Sequence, residues 1–272
     1  MLAPHPPGGS HHRGYSGLGT EKVSQDTYDK EDIKTLRNVP DVKESFESGN
    51  VNDKSQPNIW LSEEKLPGFR SFTESFFKEC EGLVHTVMRI LAVALGMEDE
   101  NALSSAHSQS LFQLRFLHYP SVPLSALSNK THTRIGAHSD FGTLTLLFQD
   151  SIGGLEVLDR EDRWVAASPI PGTVLVNIGD LMERWSNGRW RSTMHRVGAP
   201  PADPQTSLKN VEGDGRMYKP RYSIPFFATA NPDTVITALP GCWDDKRPKR
   251  YEDVTAWGYV QMRMAALYDE KK

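Results

Sequence analysis

The chain holds only two cysteines in 272 residues, Cys80 and Cys242, and neither lies in a Cys-x-x-Cys spacing. That rules out a disulfide framework or a cysteine-based zinc site as the organising device and makes a reducing compartment, the cytoplasm, the expected location. Long apolar runs are also missing. The longest fall far short of the ~18 residues needed to span a bilayer. The opening MLAPHPPGGSHHRGYSG has no apolar core of the kind a secretory signal carries. No block of like charge stands out, with 31 basic and 35 acidic residues giving a formal net charge of −4. Neither nucleic acid nor a membrane is therefore expected as partner. No internal repeat is visible, which excludes solenoids and propellers. The expectation that remains is a monomer acting on a small molecule.

The residues that are present change texture along the chain. Residues 1–20 are rich in Pro, Gly and His, and residues 21–58 are polar with few large apolar side chains. Segment 1–58 is read as a polar, partly disordered N-terminal stretch of loop and short helix. Segment 59–110 is read as helical. Its clearest helix starts near Pro67 and stops at Gly96, with Phe69, Phe72, Phe76, Leu83, Val87, Leu91 and Leu95 forming one apolar stripe. From residue 111 onward come short runs such as LFQLRFLHY, GTLTLLFQ, GLEVLD, TVLVNIG, STMHRV and RYSIPFFA. Gly, Pro, Asp or Asn bounds most of them, a pattern typical of sandwiches and barrels. A last helix is expected over Ala256 to Tyr268. The fold class is thus mainly β with flanking helices, the β-domain occupying 111–272.

Most of the nine histidines read as solvated or structural. His5, His11 and His12 lie in the N-terminal stretch, His85 near the helix stripe and His107 in a linker. His138-Ser139-Asp140 is different. It opens a strand-like run, where residues i and i+2 share a face, so an imidazole and a carboxylate can aim at one point. His195, in Ser192-Thr193-Met194-His195-Arg196-Val197, offers a third donor from another strand-like segment. Two imidazoles and a carboxylate on one side of a metal form the ligand set of non-haem iron(II) oxygenases, although zinc accepts the same donors. Arg221-Tyr222-Ser223 adds a guanidinium fork and a hydroxyl on one face of a further strand. That pair suits a carboxylate held by parallel charge-assisted bonds.

From about His12 to Tyr268 the chain resembles the iron(II)/2-oxoglutarate-dependent dioxygenases of the isopenicillin N synthase-like group. The resemblance is carried, in order, by HRGYSGLGTEK, DVKESFESG, LPGFRSFTESFF, LRFLHYP, RIGAHSDFGTLTLLFQD, the long segment from GGLEVLD to RSTMHRV, and RYSIPFF. It implies a double-stranded β-helix (jelly-roll) core. It implies that His138, Asp140 and His195 bind Fe(II), and that Arg221 and Ser223, supported by Tyr119 of His118-Tyr119-Pro120, hold the distal carboxylate of 2-oxoglutarate. No catalytic side chain beyond the metal ligands is implied. The implied activity is O2-dependent hydroxylation, desaturation or cyclisation of a small metabolite, as in secondary metabolism, with release of succinate and CO2.

The chain departs from the family pattern in two respects. Relatives usually carry a further N-terminal region before the segment matching HRGYSG, and residues 202–219 lengthen the spacing between His195 and Arg221. Two alternatives within the family follow: an iron oxidase that works without 2-oxoglutarate, and a catalytically impaired binding or regulatory relative. A zinc hydrolase would use the same three ligands but leaves Arg221-x-Ser223 without a role. Asn177 and Asp180 are candidates for supporting the ligands, and Phe141, Arg134 and Phe226 for bordering the substrate space.

Overall fold

A computed structural model describes residues 12–19, 41–128, 133–201, 208–211 and 215–268. The expectations for residues 1–11 and 20–40 lie outside the described residues. In chain order the elements are β1 (Gly14–Ser16), β2 (Glu44–Gly49), α1 (Phe69–Ala94), α2 (Ala102–Ser105), β3 (Gln113–Tyr119), β4 (Val122–Pro123), α3 (Leu124–Ser128), β5 (Ile135–His138), β6 (Leu144–Gln149), β7 (Leu155–Leu158) and β8 (Trp164–Ala166). They continue with β9 (Leu175–Ile178), α4 (Asp180–Trp185), β10 (His195–Val197), β11 (Leu208–Val211), β12 (Gly215–Tyr218), β13 (Arg221–Ala228), β14 (Val235–Ile236), β15 (Val254–Thr255) and α5 (Ala256–Tyr268).

Two antiparallel sheets form the body. The larger has the order β1-β2-β3-β13-β6-β9 and the smaller β5-β10-β7-β8. Strands distant in sequence are neighbours in both, as the jelly-roll expectation requires. Side-chain alternation divides the larger sheet into two faces. Leu114 of β3, Leu144 and Leu146 of β6, and Phe226 and Ala228 of β13 pack against α1. Leu117 and Tyr119 of β3 turn the other way and meet Ile135, Leu155 and Val197 of the smaller sheet. The space between the two sheets is where the functional groups gather.

Helix α1 lies where the sequence places it, but it buries a different stripe. The buried residues are Thr73, Phe77, Cys80, Val84, Met88 and Ala92, whereas Phe72 is 61% exposed. Phe76, Val87 and Leu91 are only flanking contacts of the core. Apolar residues cover more of this helix than one stripe, so periodicity alone leaves the packing face ambiguous. The sheet selects the face bearing the smaller Thr73, Cys80 and Ala92, which lets the helix approach closely enough for Phe77 to pack edge-on to Phe226 at 5.0 Å. The stop at Gly96 is as expected, since this residue adopts φ 73°, a conformation that favours glycine.

The polar segment 1–58 also differs from expectation, because its described part contains β1 and β2, which extend the larger sheet. The β2 sequence ESFESG carries no apolar alternation. Its strand is instead held by its ladder to β3 and by Glu47, which is fully buried against Arg115 at 2.7 Å. Within 202–219, β11 and β12 pair with each other and β12 pairs with β4, so the described part of this insertion is an attached hairpin.

Candidate active site

The three predicted ligands come together. One donor atom from each of His138, Asp140 and His195 lies within 4.8 Å of the others. Sheet register accounts for the two histidines: β10 pairs antiparallel with β5, and His195 is the direct partner of His138. Asp140 reaches the same point in another way than expected. The strand ends at His138 and resumes at Leu144, so Asp140 projects from the intervening loop. Backbone bonds brace that loop against the turn into α4: Asp180 N donates to Asp140 O at 2.8 Å, Leu181 N to Gly142 O at 3.0 Å and Gly179 N to Thr143 O at 3.0 Å. Position 179 has no room for a Cβ, because the Gly142 carbonyl occupies the place it would take.

Hydrogen bonds orient each donor. Nδ1 of His138 donates to Gly136 O at 2.9 Å and Nδ1 of His195 to Thr193 O at 3.0 Å. That tautomer leaves both Nε2 lone pairs for a metal. Asp140 Oδ2 accepts from Thr145 Oγ1 at 2.7 Å and from Asn177 Nδ2 at 2.5 Å, while Oδ1 faces His195 Nε2 at 3.8 Å. Burial pushes the His138 imidazole down to about 3, and the neighbouring His195 adds to the effect. Burial opposes ionisation of Asp140, but His195, His138 and the bonds from Thr145 and Asn177 outweigh it and hold its carboxyl below the usual range. A neutral His138 beside an ionised Asp140 is the protonation pattern that metal ligation requires.

A cavity of about 410 Å³ opens on this cluster, and Tyr119, Arg221 and Ser223 line it as well. Arg221 and Ser223 share the buried face of β13. Arg221 Nη1 donates to Ser223 Oγ at 3.0 Å and Nη2 to Gln149 Oε1 at 3.3 Å. Tyr119 is the register partner of Arg221, its ring 5.0 Å from the guanidinium carbon. Beneath it lies Arg134, fully buried, with its guanidinium carbon 5.9 Å from the same ring. Burial, with Arg221 adding to it, lowers Arg134 to about 10. Arg221 Nε and Arg134 Nε and Nη1 are buried without hydrogen-bond partners, and neither arginine forms an ion pair among the described residues. Asp150 partly offsets the charge of Arg134 from a distance, but with no ion pair in contact and three buried N–H groups unsatisfied this end of the cavity favours an anion.

Of the other candidates, Asn177 supports Asp140 directly, and Asp180 instead pairs with Arg263 and accepts from Tyr259 OH at 2.9 Å. Phe141 lines the cavity. Phe226 faces α1 and Arg134 sits behind Tyr119, so neither borders it. His107 is fully buried, with Nδ1 2.6 Å from Leu103 O and Nε2 2.7 Å from Thr143 Oγ1. Sequence reasoning missed Thr145, Gln149 and Arg263. The first two could have been found by counting in steps of two along β6, but nothing local marks Arg263.

The match to known proteins extends over nearly the whole chain. The sequence profile of the family described as the 2OG-Fe(II) oxygenase superfamily matches residues 108–230, the stretch that contains His138, Asp140, His195 and Arg221. The 2-oxoglutarate-dependent dioxygenase htyE of Aspergillus rugulosus is 37% identical over 270 residues, covering 98% of this chain and 79% of the relative. The proline hydroxylase buaE of Petromyces alliaceus is 38% identical over 270 residues, with the same coverage of each. The crystal structure of a full-length Neurospora crassa protein in complex with alpha-KG and thymine superposes with a TM-score of 0.80 at 40% identity, covering 94% of this chain and 74% of that one. Such breadth of similarity, joined to a site already suited to a metal and a carboxylate, establishes that the chain belongs to the 2OG-Fe(II) oxygenase superfamily and is an Fe(II)- and 2-oxoglutarate-dependent dioxygenase of small metabolites.

Proposed function

We propose that His138, Asp140 and His195 hold the Fe(II), and that Arg221, Ser223 and Tyr119 hold the far carboxylate of 2-oxoglutarate. The observation that carries this reading is the buried Arg221 guanidinium that lines one end of the cavity without an ion pair among the described residues, with the buried Arg134 behind Tyr119 adding positive charge. A dicarboxylate supplies the missing negative charge, and Arg221 with Ser223 offers it donors on one strand face. The bound iron supplies the oxygen activation that couples 2-oxoglutarate decarboxylation to substrate oxidation. The protein's part is to place and dehydrate the reactants. Leu117, Ile135, Leu155 and Val197 exclude water around the carboxylate end, and Thr145 and Asn177 keep one oxygen of Asp140 occupied so that the other points at the metal.

The substrate is a free small metabolite, as the relatives, a proline hydroxylase and a protein crystallised with thymine, suggest. Two free, buried cysteines suit a cytoplasmic protein, a monomer is the simplest working form, and no helix of the described residues is long and apolar enough to cross a membrane. The test is anaerobic titration of the Fe(II)-loaded protein with 2-oxoglutarate, followed by aerobic assay for succinate. Saturable binding that is lost in Arg221→Met supports the assignment. Wild-type affinity in that variant would refute it.

A further inference from the structure

The cavity has a second polar end, and its chemistry differs from that of the first. Sheet register locates it. Gln113, Phe227, Thr145 and Asn177 are neighbours across β3, β13, β6 and β9. Thr145 and Asn177 are the residues that bond Asp140. Phe227 therefore lies next to the metal cluster, with Gln113 on its far side. Strands stand roughly 4.8 Å apart, so Gln113 is about 10 Å from Thr145, which leaves room for a single ring lying on Phe227. Arg115, two residues along β3, points to the same face, and its guanidinium carbon is 5.9 Å from the Phe227 ring.

The charge at this end is balanced within the protein. Glu47, fully buried, accepts from Arg115 Nη2 at 2.7 Å and from Gln113 Nε2. The nearby Arg13 has its own carboxylate, Asp53, at 3.3 Å. His12, the remaining ionisable group of the lining here, can add only positive charge. Among the described residues the sole carboxylate lining the cavity is Asp140, at the metal. This contrasts with Arg221 and Arg134, which form no ion pair among the described residues. Gln113 and Arg115 both line the cavity; with its amide NH2 on Glu47, Gln113 offers its carbonyl oxygen as an acceptor, and the Arg115 guanidinium offers N–H donors.

We infer that this end binds a neutral, planar, ring-sized molecule bearing adjacent C=O and N–H groups, a cyclic amide or imide, with Arg115 and Gln113 as specificity-determining residues. The inference rests on the iron and 2-oxoglutarate reading above and specifies its substrate. A lactam carbonyl accepts from Arg115, its N–H donates to Gln113, and its flat face lies on Phe227, which directs the opposite edge of the ring to the metal. A free amino acid fits poorly, because its ammonium group would be desolvated without an anionic partner. A second carboxylate fits poorly as well, because Glu47 already neutralises Arg115.

The experiment is anaerobic calorimetric titration of the Fe(II)- and 2-oxoglutarate-loaded protein with three probes: uracil, L-proline and orotate. Uracil is expected to bind at least ~10-fold more tightly than the zwitterion or the anion, the discrimination that one or two matched hydrogen bonds supply. Arg115→Met is expected to abolish the preference. Because that variant strands a buried carboxylate, Arg115→Met/Glu47→Gln removes both charges and carries the test if the single variant does not fold. The inference is overturned if L-proline or orotate matches uracil, if uracil fails to bind, or if the double variant binds uracil as the wild type does. The 2-oxoglutarate affinity recorded beforehand reports on the parent reading separately. Intact co-substrate binding without a uracil preference defeats the substrate class alone.

Discussion

His138 and His195 face each other as direct partners across the β5–β10 ladder, their ring centroids 4.2 Å apart. Burial first, and then the repulsion between two imidazoles at that separation, holds His138 down to about 3. A divalent metal bound as proposed would replace that repulsion with two bonds. Substituting His195 by Ala is expected to weaken Fe(II) binding by at least ~100-fold, since it leaves two ligands of three. Anaerobic metal titration with Fe(II) or Co(II) measures this, and unchanged affinity would show that the metal lies elsewhere.

Thr145 and Asn177 both donate to Asp140 Oδ2. Thr145→Val and Asn177→Leu should each loosen that carboxylate without removing a ligand. The expected cost is roughly 10–100-fold in metal affinity or turnover, as for other residues that orient ligands. Co(II) spectra should change shape as well, because the carboxylate is free to reorient. Identical spectra and affinity in both variants would assign the two residues to packing.

Arg263 connects the C-terminal helix to the ligand loop. It pairs with Asp180, donates to Ser139 Oγ at 3.2 Å and lies 4.4 Å over the Phe141 ring. Its side chain and that of Asp180 are 4% and 10% exposed. Arg263→Met should cost about 3–5 kcal/mol by stranding a buried carboxylate. The double change Arg263→Met/Asp180→Asn should recover part of that loss. Urea denaturation of the three proteins decides it, and a double variant no more stable than the single one would argue against the pair.

His107 sets a pH dependence. Burial lowers it to about 4 from an ordinary 6.5, so the folded state resists a proton that the unfolded chain accepts. Above pH 6.5 both states are neutral and the residue has no effect. Between pH 6.5 and 4 the unfolded state gains protons, and stability falls by an amount that approaches about 3 kcal/mol. His107→Gln should flatten this part of the profile. Parallel slopes of unfolding free energy against pH for wild type and variant would remove His107 as the cause.

Much of the site was legible from sequence because strand periodicity is local. Arg221 and Ser223 share a face of β13 by virtue of spacing alone. His138-x-Asp140 was singled out by the same rule, although the structure presents Asp140 from a loop, so the two side chains meet His195 by another route than strand alternation. The helix ending at Gly96 was equally plain, because a positive φ at a helix end marks glycine.

The remainder depended on contacts between distant segments. Periodicity could not choose the buried face of α1, because apolar residues surround more of the helix than one stripe. Strand β2 had no hydrophobic signature, because a buried Glu47–Arg115 pair takes the place of apolar burial. Arg263 gained its partner only when α5 folded back on the ligand loop. The sequence by itself determined the donor types, the shared strand face of Arg221 and Ser223 and the jelly-roll class, since each is written in side-chain chemistry and short spacing. Only the tertiary structure decided which end of the cavity carries an arginine in contact with a carboxylate, because Glu47 and Arg115 meet solely through the pairing of β2 with β3.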